Sequence, residues 1–209
     1  MKRISILFFL FFISLSVSAQ HFRSGFQAAV LNARMIGLND KGEWGTGYLF
    51  GMNVNYQCFK LEVNYIQKGG SYALYNPNIG WFDVFNRNAQ YIQFPMSVHF
   101  GEYGEDYENS VYDFDFGLAP ASLLSVVSEI NHVSYRSSLQ YKTFTLDAFA
   151  GAGINFNDHV FLSLRFSWSV FPDVKREAVP KGFFWQTFDN GHTLTRQLVL
   201  RITFGKDED

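Results

Sequence analysis

Cysteine is all but missing. Cys58 is the only one in 209 residues, so an intramolecular disulfide is excluded, and in the tight turn described below it reads as incidental rather than as a reactive thiol. After residue 19 there is no apolar run long enough for a transmembrane helix. A basic patch is lacking too, which argues against nucleic acid as a partner. No phosphate-binding glycine loop, metal-ligand cluster or nucleophile elbow occurs, so no cofactor and no metal is expected. Charged residues make up only 17% of the chain, whereas aromatics reach 19%, a high share for a soluble domain.

Lys2 and Arg3 precede an apolar run from Ile4 to Val17, and Val17-Ser18-Ala19 offers a small-residue cleavage site before Gln20. This layout predicts a secretory signal peptide over residues 1–19, cleaved after Ala19, followed by one domain over 20–209. Losing Lys2 and Arg3 lowers the basic count from 17 to 15 against 19 acidic residues, for a mature charge of about −4.

The stretch Gly47–Gly70 carries the fold. Tyr48, Phe50, Met52, Val54 and Tyr56 alternate with smaller or polar residues; after Gln57-Cys58 the parity switches, and Phe59, Leu61, Val63 and Tyr65 are apolar. A two-residue turn at Gln57-Cys58 explains the switch, because it pairs Tyr56–Phe59, Val54–Leu61, Met52–Val63 and Phe50–Tyr65 on one face. Asn55–Lys60, Asn53–Glu62 and Gly51–Asn64 then share the other. Strands of about ten residues with one apolar face suit a tilted crossing of a bilayer.

Six further strands follow the same rule. The first spans Phe22 to Asn32, the fourth Gln90 to Phe100 with a bulge expected at Pro95, and the fifth Val111 to about Leu124. Phe144 to Phe156 and Val160 to Val170 form a second tight hairpin through Asn157-Asp158-His159. It pairs Ile154 with Leu162, Ala152 with Leu164 and Ala148 with Trp168, and sets Gly151 beside Arg165, where a glycine leaves room for a long side chain. Thr193 to Phe204 is the eighth. Links of about two, ten and three residues alternate with links of 15 to 21, the asymmetry of an outer-membrane barrel. The expected fold is therefore all-β: an eight-stranded antiparallel up-and-down transmembrane barrel, with termini and short turns in the periplasm and four long loops outside. Phe22, Tyr56, Phe59, Phe100, Tyr112, Phe156 and Phe204 would form one aromatic girdle, and Tyr48, Tyr65 and Trp168 part of the other. A soluble lipocalin-like barrel is the alternative, and it requires the faces reversed.

Three segments carry a family resemblance: Glu62-Val63-Asn64-Tyr65-Ile66-Gln67-Lys68-Gly69-Gly70, Tyr91-Ile92-Gln93-Phe94-Pro95 and Phe116-Gly117-Leu118-Ala119-Pro120. They resemble the recurrent segments of the PorT-like outer-membrane β-barrel family, common in the Bacteroidetes. The resemblance implies a small porin-like barrel in a Gram-negative outer membrane, some of whose relatives serve a secretion system. Many outer-membrane barrels end on an aromatic residue; here Gly205-Lys206-Asp207-Glu208-Asp209 follows Phe204.

An eight-stranded barrel is filled by its own side chains and is no open pore. Alternation turns Arg23, Lys60, Glu62, Asp113, Asp115, Arg165 and Arg201 inward near the periplasmic rim, and predicts a salt-bridged plug centred on Arg165 and Arg201 with Asp113, Asp115 and Glu62. The carboxylates of Asp113 and Asp115 share a face, but without His or Cys at ligand spacing they read as salt-bridge partners. His99 reads as a hydrogen-bonded interior residue. Outside, Tyr72, Tyr75, Trp81, Phe82 and Phe85 in the second loop, and Phe183, Phe184 and Trp185 in the fourth, are candidate contact residues. The alternative is that they pack on one another or on lipid headgroups. The expectation is a non-enzymatic surface or envelope protein. Its expected partners are outer-membrane lipid and lipopolysaccharide, with envelope or secretion-system proteins. The competing enzymatic reading is a lipid A-acting barrel using His132 and Ser134, with Glu129 close by in sequence.

Overall fold

The computed structural model describes residues 22–36, 43–56, 58–76, 81–101, 112–130, 133–136, 141–156, 159–171, 173 and 192–204. The expected signal peptide (residues 1–19), His132, Phe183, Phe184 and Trp185 lie outside them. The strands are β1 (Phe22–Ile36), β2 (Glu43–Tyr56), β3 (Phe59–Asn76), β4 (Trp81–Gln93), β5 (Met96–Gly101), β6 (Tyr112–Ile130), β7 (Val133–Arg136), β8 (Phe144–Asn155), β9 (Val160–Ser169) and β10 (His192–Phe204).

All pairings are antiparallel and the sheet closes on itself. From β1 the order runs through β2, β3, the β4–β5 pair, β6, β8 and β9 to β10, which pairs back onto β1 over Ser24–Ile36. Because β4 and β5 form one interrupted strand, this is a closed eight-stranded barrel, and β7 pairs β6 outside it. Closure satisfies the backbone donors and acceptors of every neighbouring pair, the condition for crossing a bilayer with strands.

The register of the central hairpin is the one its alternation dictates, from Tyr56↔Phe59 through Asn53↔Glu62 to Phe50↔Tyr65. The β8–β9 hairpin likewise pairs Ile154↔Leu162, Ala152↔Leu164, Gly151↔Arg165 and Ala148↔Trp168. Outward positions are apolar and open: Phe50 is 57% exposed and Leu61 58%, while Arg165 behind them is 2% exposed. Exposed Tyr56, Phe59, Phe100, Tyr112, Phe156 and Phe204 ring the end that holds the turns and termini, and Tyr48 and Trp168 mark the other end of the belt. A lipocalin-like barrel needs these faces reversed, and the structure has them the other way.

Three expectations need correction. Residues 71–76 and 81–88 are strand rather than loop. β3 and β4 stay paired out to Tyr72↔Phe85, Tyr75↔Phe82 and Asn76↔Trp81, so these aromatic positions lie on a hairpin that continues the barrel wall. Gly69-Gly70-Ser71 interrupts the apolar pattern and so resembles a loop start, but ladder hydrogen bonds persist without apolar side chains. The fifth strand similarly runs on to Ile130 and folds back as β7, which places Ser134 opposite Glu129 on paired strands.

No bulge forms at Pro95 either. The ladder is interrupted at Phe94-Pro95 without a register change, since Asn64↔Gln93 and Leu61↔Met96 keep the same offset. Glu62 N donates to Pro95 O at 2.9 Å and Phe94 N to Pro120 O at 2.8 Å, so the gap stays stitched to both neighbours. The register shift lies instead between Gln90 and Tyr91, against Ser125 and Leu123, which leaves Leu124 as the extra residue. It reverses the parity of β6, turning Val126 inward and Val127 outward.

A closed barrel has no free edge from which to unravel. The unboiled protein in SDS is therefore expected to migrate differently from the boiled protein, with a β-dominated circular dichroism spectrum. Identical mobilities would contradict closure.

Candidate functional site

The inward face is polar and buried, so the candidate site is the barrel interior. Its lower half, toward the turns and termini, centres on one guanidinium. Arg165 Nη2 donates to Glu62 Oε1 at 2.8 Å and to Asp115 Oδ2 at 2.7 Å, while Nη1 reaches Glu62 Oε2 at 3.1 Å. Lys60 Nζ donates to the same Asp115 oxygen at 2.8 Å and lies 3.6 Å from Glu62. Glu62 Oε2 also accepts from Gln27 Nε2 at 2.6 Å and Asn64 Nδ2 at 2.9 Å. Two cations thus face two carboxylates out of water, the arrangement in which a buried charge is tolerated. The Arg165 guanidinium also lies 4.4 Å from the Phe149 ring centroid.

Two inward glycines make room for these groups. A Cβ on Gly151 would sit 2.0 Å from Asp115 Oδ1, and one on Gly51 would sit 1.8 Å from Asn64 Oδ1. The glycine beside Arg165 therefore accommodates the arginine's carboxylate partner rather than the arginine itself.

Of the seven inward charges read from the sequence, the structure brings together Lys60, Glu62, Asp115 and Arg165. Asp113 is buried next to His99, Nδ1 to Oδ1 3.6 Å, and Arg23 is only half-buried. Arg201 lies among these charges but makes no hydrogen bond or ion pair with Glu62, Asp113 or Asp115. Gln27, directly opposite it in register, is the residue that reaches Glu62. The Arg201 guanidinium lies instead 4.5 Å from the Phe161 ring centroid, and its Nε and Nη2 are buried without a hydrogen-bond partner.

A second cluster, not foreseen, fills the upper half. Lys68 Nζ donates to Asp147 Oδ2 at 2.5 Å and Gln93 Nε2 to the same oxygen at 3.2 Å. Arg87 pairs with Asp173 at 3.5 Å, donates to Tyr91 Oη at 3.1 Å and lies 5.0 Å from the Tyr141 ring centroid. Thr193 Oγ1 donates to Asp173, tying the chain after β9 into the barrel mouth. Parity alone points Lys68 inward with Lys60, Glu62 and Asn64, and Arg87 inward with Tyr91 and Gln93. Nothing in the alternation announces Asp173, which follows the end of β9.

Between the clusters, the crevice lined by Gln93, Pro95, Ala119, Phe149, Arg165, Ser167 and Gln197 has no room for a water molecule. At that level side chains fill the described interior. Among the described residues no three His, Cys, Asp or Glu converge as a metal would require.

Fold and interior together define a class, the small closed barrels with a polar core and an apolar exterior. Neisserial surface protein A has this fold. It superposes with a TM-score of 0.55 at 13% identity, covering 88% of this chain and 97% of that one. Ail, the attachment invasion locus protein of Yersinia pestis, aligns at 0.49 and 11% identity over 87% and 98% of the two chains. The outer membrane protein OprG of Pseudomonas aeruginosa aligns at 0.41 and 8% over 88% and 96%. No protein-family model matches the chain, and no curated protein matches it in sequence.

Arg165→Leu removes the guanidinium shared by two buried carboxylates, leaving Asp115 with Lys60 alone and Glu62 with Gln27, Asn64 and the more distant Lys60, and is expected to destabilise by about 3–5 kcal/mol. Arg201→Leu removes a cation with no carboxylate bond and is expected to cost no more than about 2 kcal/mol, the scale of a desolvated cation–π contact. The temperature at which the unboiled form converts to boiled mobility measures both. Equal shifts would contradict the assignment of Arg165 as the centre.

Proposed function

We propose that this chain is a non-enzymatic barrel of a Gram-negative outer membrane, with its turns and termini in the periplasm. It would work at the cell surface, as a contact protein or as an accessory to envelope assembly or export. One observation carries the reading: two charge clusters occupy the described interior, while β3, β4, β6 and β7 continue together past the apolar belt. An interior filled by its own side chains leaves the segments beyond the belt as the surface for contact.

That extension is a paired sheet. Tyr72↔Phe85 and Tyr75↔Phe82 lie opposite each other on β3 and β4, and Phe85 in turn lies opposite Ile130 of β6. Aromatic positions on a rigid hairpin present contact area at less ordering cost than the same residues in a loose segment. An export-accessory role enters this reading only as what the PorT-like resemblance implies. Cleavage after Ala19 and partners among lipopolysaccharide and envelope proteins belong to the same proposal.

A short epitope inserted within 77–80 is expected to be detected on intact cells, and one within 102–111 only after permeabilisation. The reverse pattern would turn the barrel over. Lipid A mass spectra are expected to stay unchanged on overexpression. A modification lost in a Ser134→Ala variant would make the protein an enzyme and overturn the proposal.

A further inference from the structure

On the outward face of β1, Ala28 is a small residue between large ones. It stands opposite Phe50 on β2 and Leu200 on β10, with Phe26 and Val30 two residues away on its own strand. One row toward the turns, Phe26 stands opposite Met52 and Ile202, and Met52 opposite Val63 on β3. The short side chain leaves an open groove of about 490 Å³, lined by Phe26, Ala28, Phe50, Met52, Leu200 and Ile202, with Val63 at its β3 end. That volume lies in the range of small-molecule sites.

The groove is apolar and its walls are braced. Gln27 and Gly51 also line it, but they offer only backbone of the β1–β2 ladder: the Gln27 side chain is turned inward to Glu62 and Asn64, and glycine has none. Phe26 packs edge-on against Phe204 at 5.9 Å. Phe50 packs on Tyr48 at 5.6 Å, and Tyr48 on Tyr65 at 6.1 Å. Both aromatic walls are therefore fixed before anything enters, which lowers the ordering cost of binding. On β2 the groove takes the Phe50 and Met52 positions, with Tyr48 above and Val54 and Tyr56 below, so it opens at mid-belt.

We propose that this groove seats one acyl chain of an outer-membrane lipid, gripping its methylenes and not its headgroup. The inference rests on the outer-membrane reading above, which puts the middle of the belt among hydrocarbon. No charged or hydrogen-bonding side chain opens into the groove, so nothing there selects a headgroup. Bulk lipid is as apolar as the groove, so the gain comes from close packing against fixed walls rather than from leaving water. A second copy of the chain is the poorer occupant, because a twofold contact centred on Ala28 sets dent against dent and fills neither.

The test inserts the full-length protein into vesicles of phosphatidylethanolamine and phosphatidylglycerol, extracts it into detergent and reads retained phospholipid by native mass spectrometry. Wild type is expected to keep one phospholipid, with no preference between the two headgroups, and to keep a short-chain phosphatidylglycerol far less. Ala28→Leu fills the dent and Phe50→Ala removes a wall. Each is expected to lower retention roughly tenfold, the scale of about ten lost atom–atom contacts. Val30→Leu, one row above the groove, is expected to retain lipid like wild type. All variants must show wild-type heat-modified mobility; should Ala28→Leu not, Phe50→Ala carries the test. The proposal is overturned if the folded groove variants retain lipid like wild type, or if retention follows the headgroup. It is overturned equally by a wild-type dimer that Ala28→Leu abolishes, which would make this face an interface between copies. Failure of wild type to insert contradicts the outer-membrane reading itself, whereas normal insertion with retention indifferent to the groove contradicts this inference alone.

Discussion

Two-residue parity governs this molecule. Each strand must offer an apolar side chain to the outside at one position and a polar one to a narrow lumen at the next, and it must do so in register with both neighbours. A slip of one residue would put Arg165 on the apolar exterior and Leu164 into the interior. The closed ladder fixes that register and leaves no unpaired edge along the crossing segments. The consequences run from there: the aromatic girdles lie at the ends of the apolar belt, and the charges are compelled to find partners inside.

The interior solves its charge problem in two layers rather than one. Below, Arg165 and Lys60 share Glu62 and Asp115; above, Lys68 and Arg87 take Asp147 and Asp173. Between and above them lies an apolar layer that includes Ala29, Leu49, Ile66, Phe149 and Val199. Separation by this layer keeps each cluster locally balanced, which matters because a buried charge is compensated only by partners within a few ångströms. The upper layer also ties Asp173, from the chain after β9, to the barrel wall.

Much of the fold was legible in the residues. The turn at Gln57-Cys58 and its parity switch sufficed to give every pair from Tyr56↔Phe59 to Phe50↔Tyr65. What alternation does not encode is height. Strand tilt and shear decide which inward residues meet around the barrel, so Gln27 rather than Arg201 reaches Glu62. Nor does it encode where a ladder continues beyond lipid: past Gly70 the apolar rhythm stops while the backbone pairing does not. The extra residue at Leu124 was hidden because a single insertion shifts parity without changing composition. The interior Pro95, the more obvious irregularity, leaves the register untouched. The PorT-like likeness was carried by segments such as Tyr91-Ile92-Gln93-Phe94-Pro95, which build wall and plug; they bear on the fold and say little about what the barrel contacts.

The central claim is that alternate residues of one strand face lipid and the interior plug, and β9 tests it most directly. In a Cys58→Ser background, single cysteines at each position from 162 to 168 would be probed in reconstituted vesicles with a membrane-soluble and a water-soluble thiol reagent. The account predicts labelling by the membrane-soluble reagent at 162, 164, 166 and 168, with 163, 165 and 167 protected from both. Labelling at the odd positions by the membrane-soluble reagent, or an unbroken run without alternation, would contradict it.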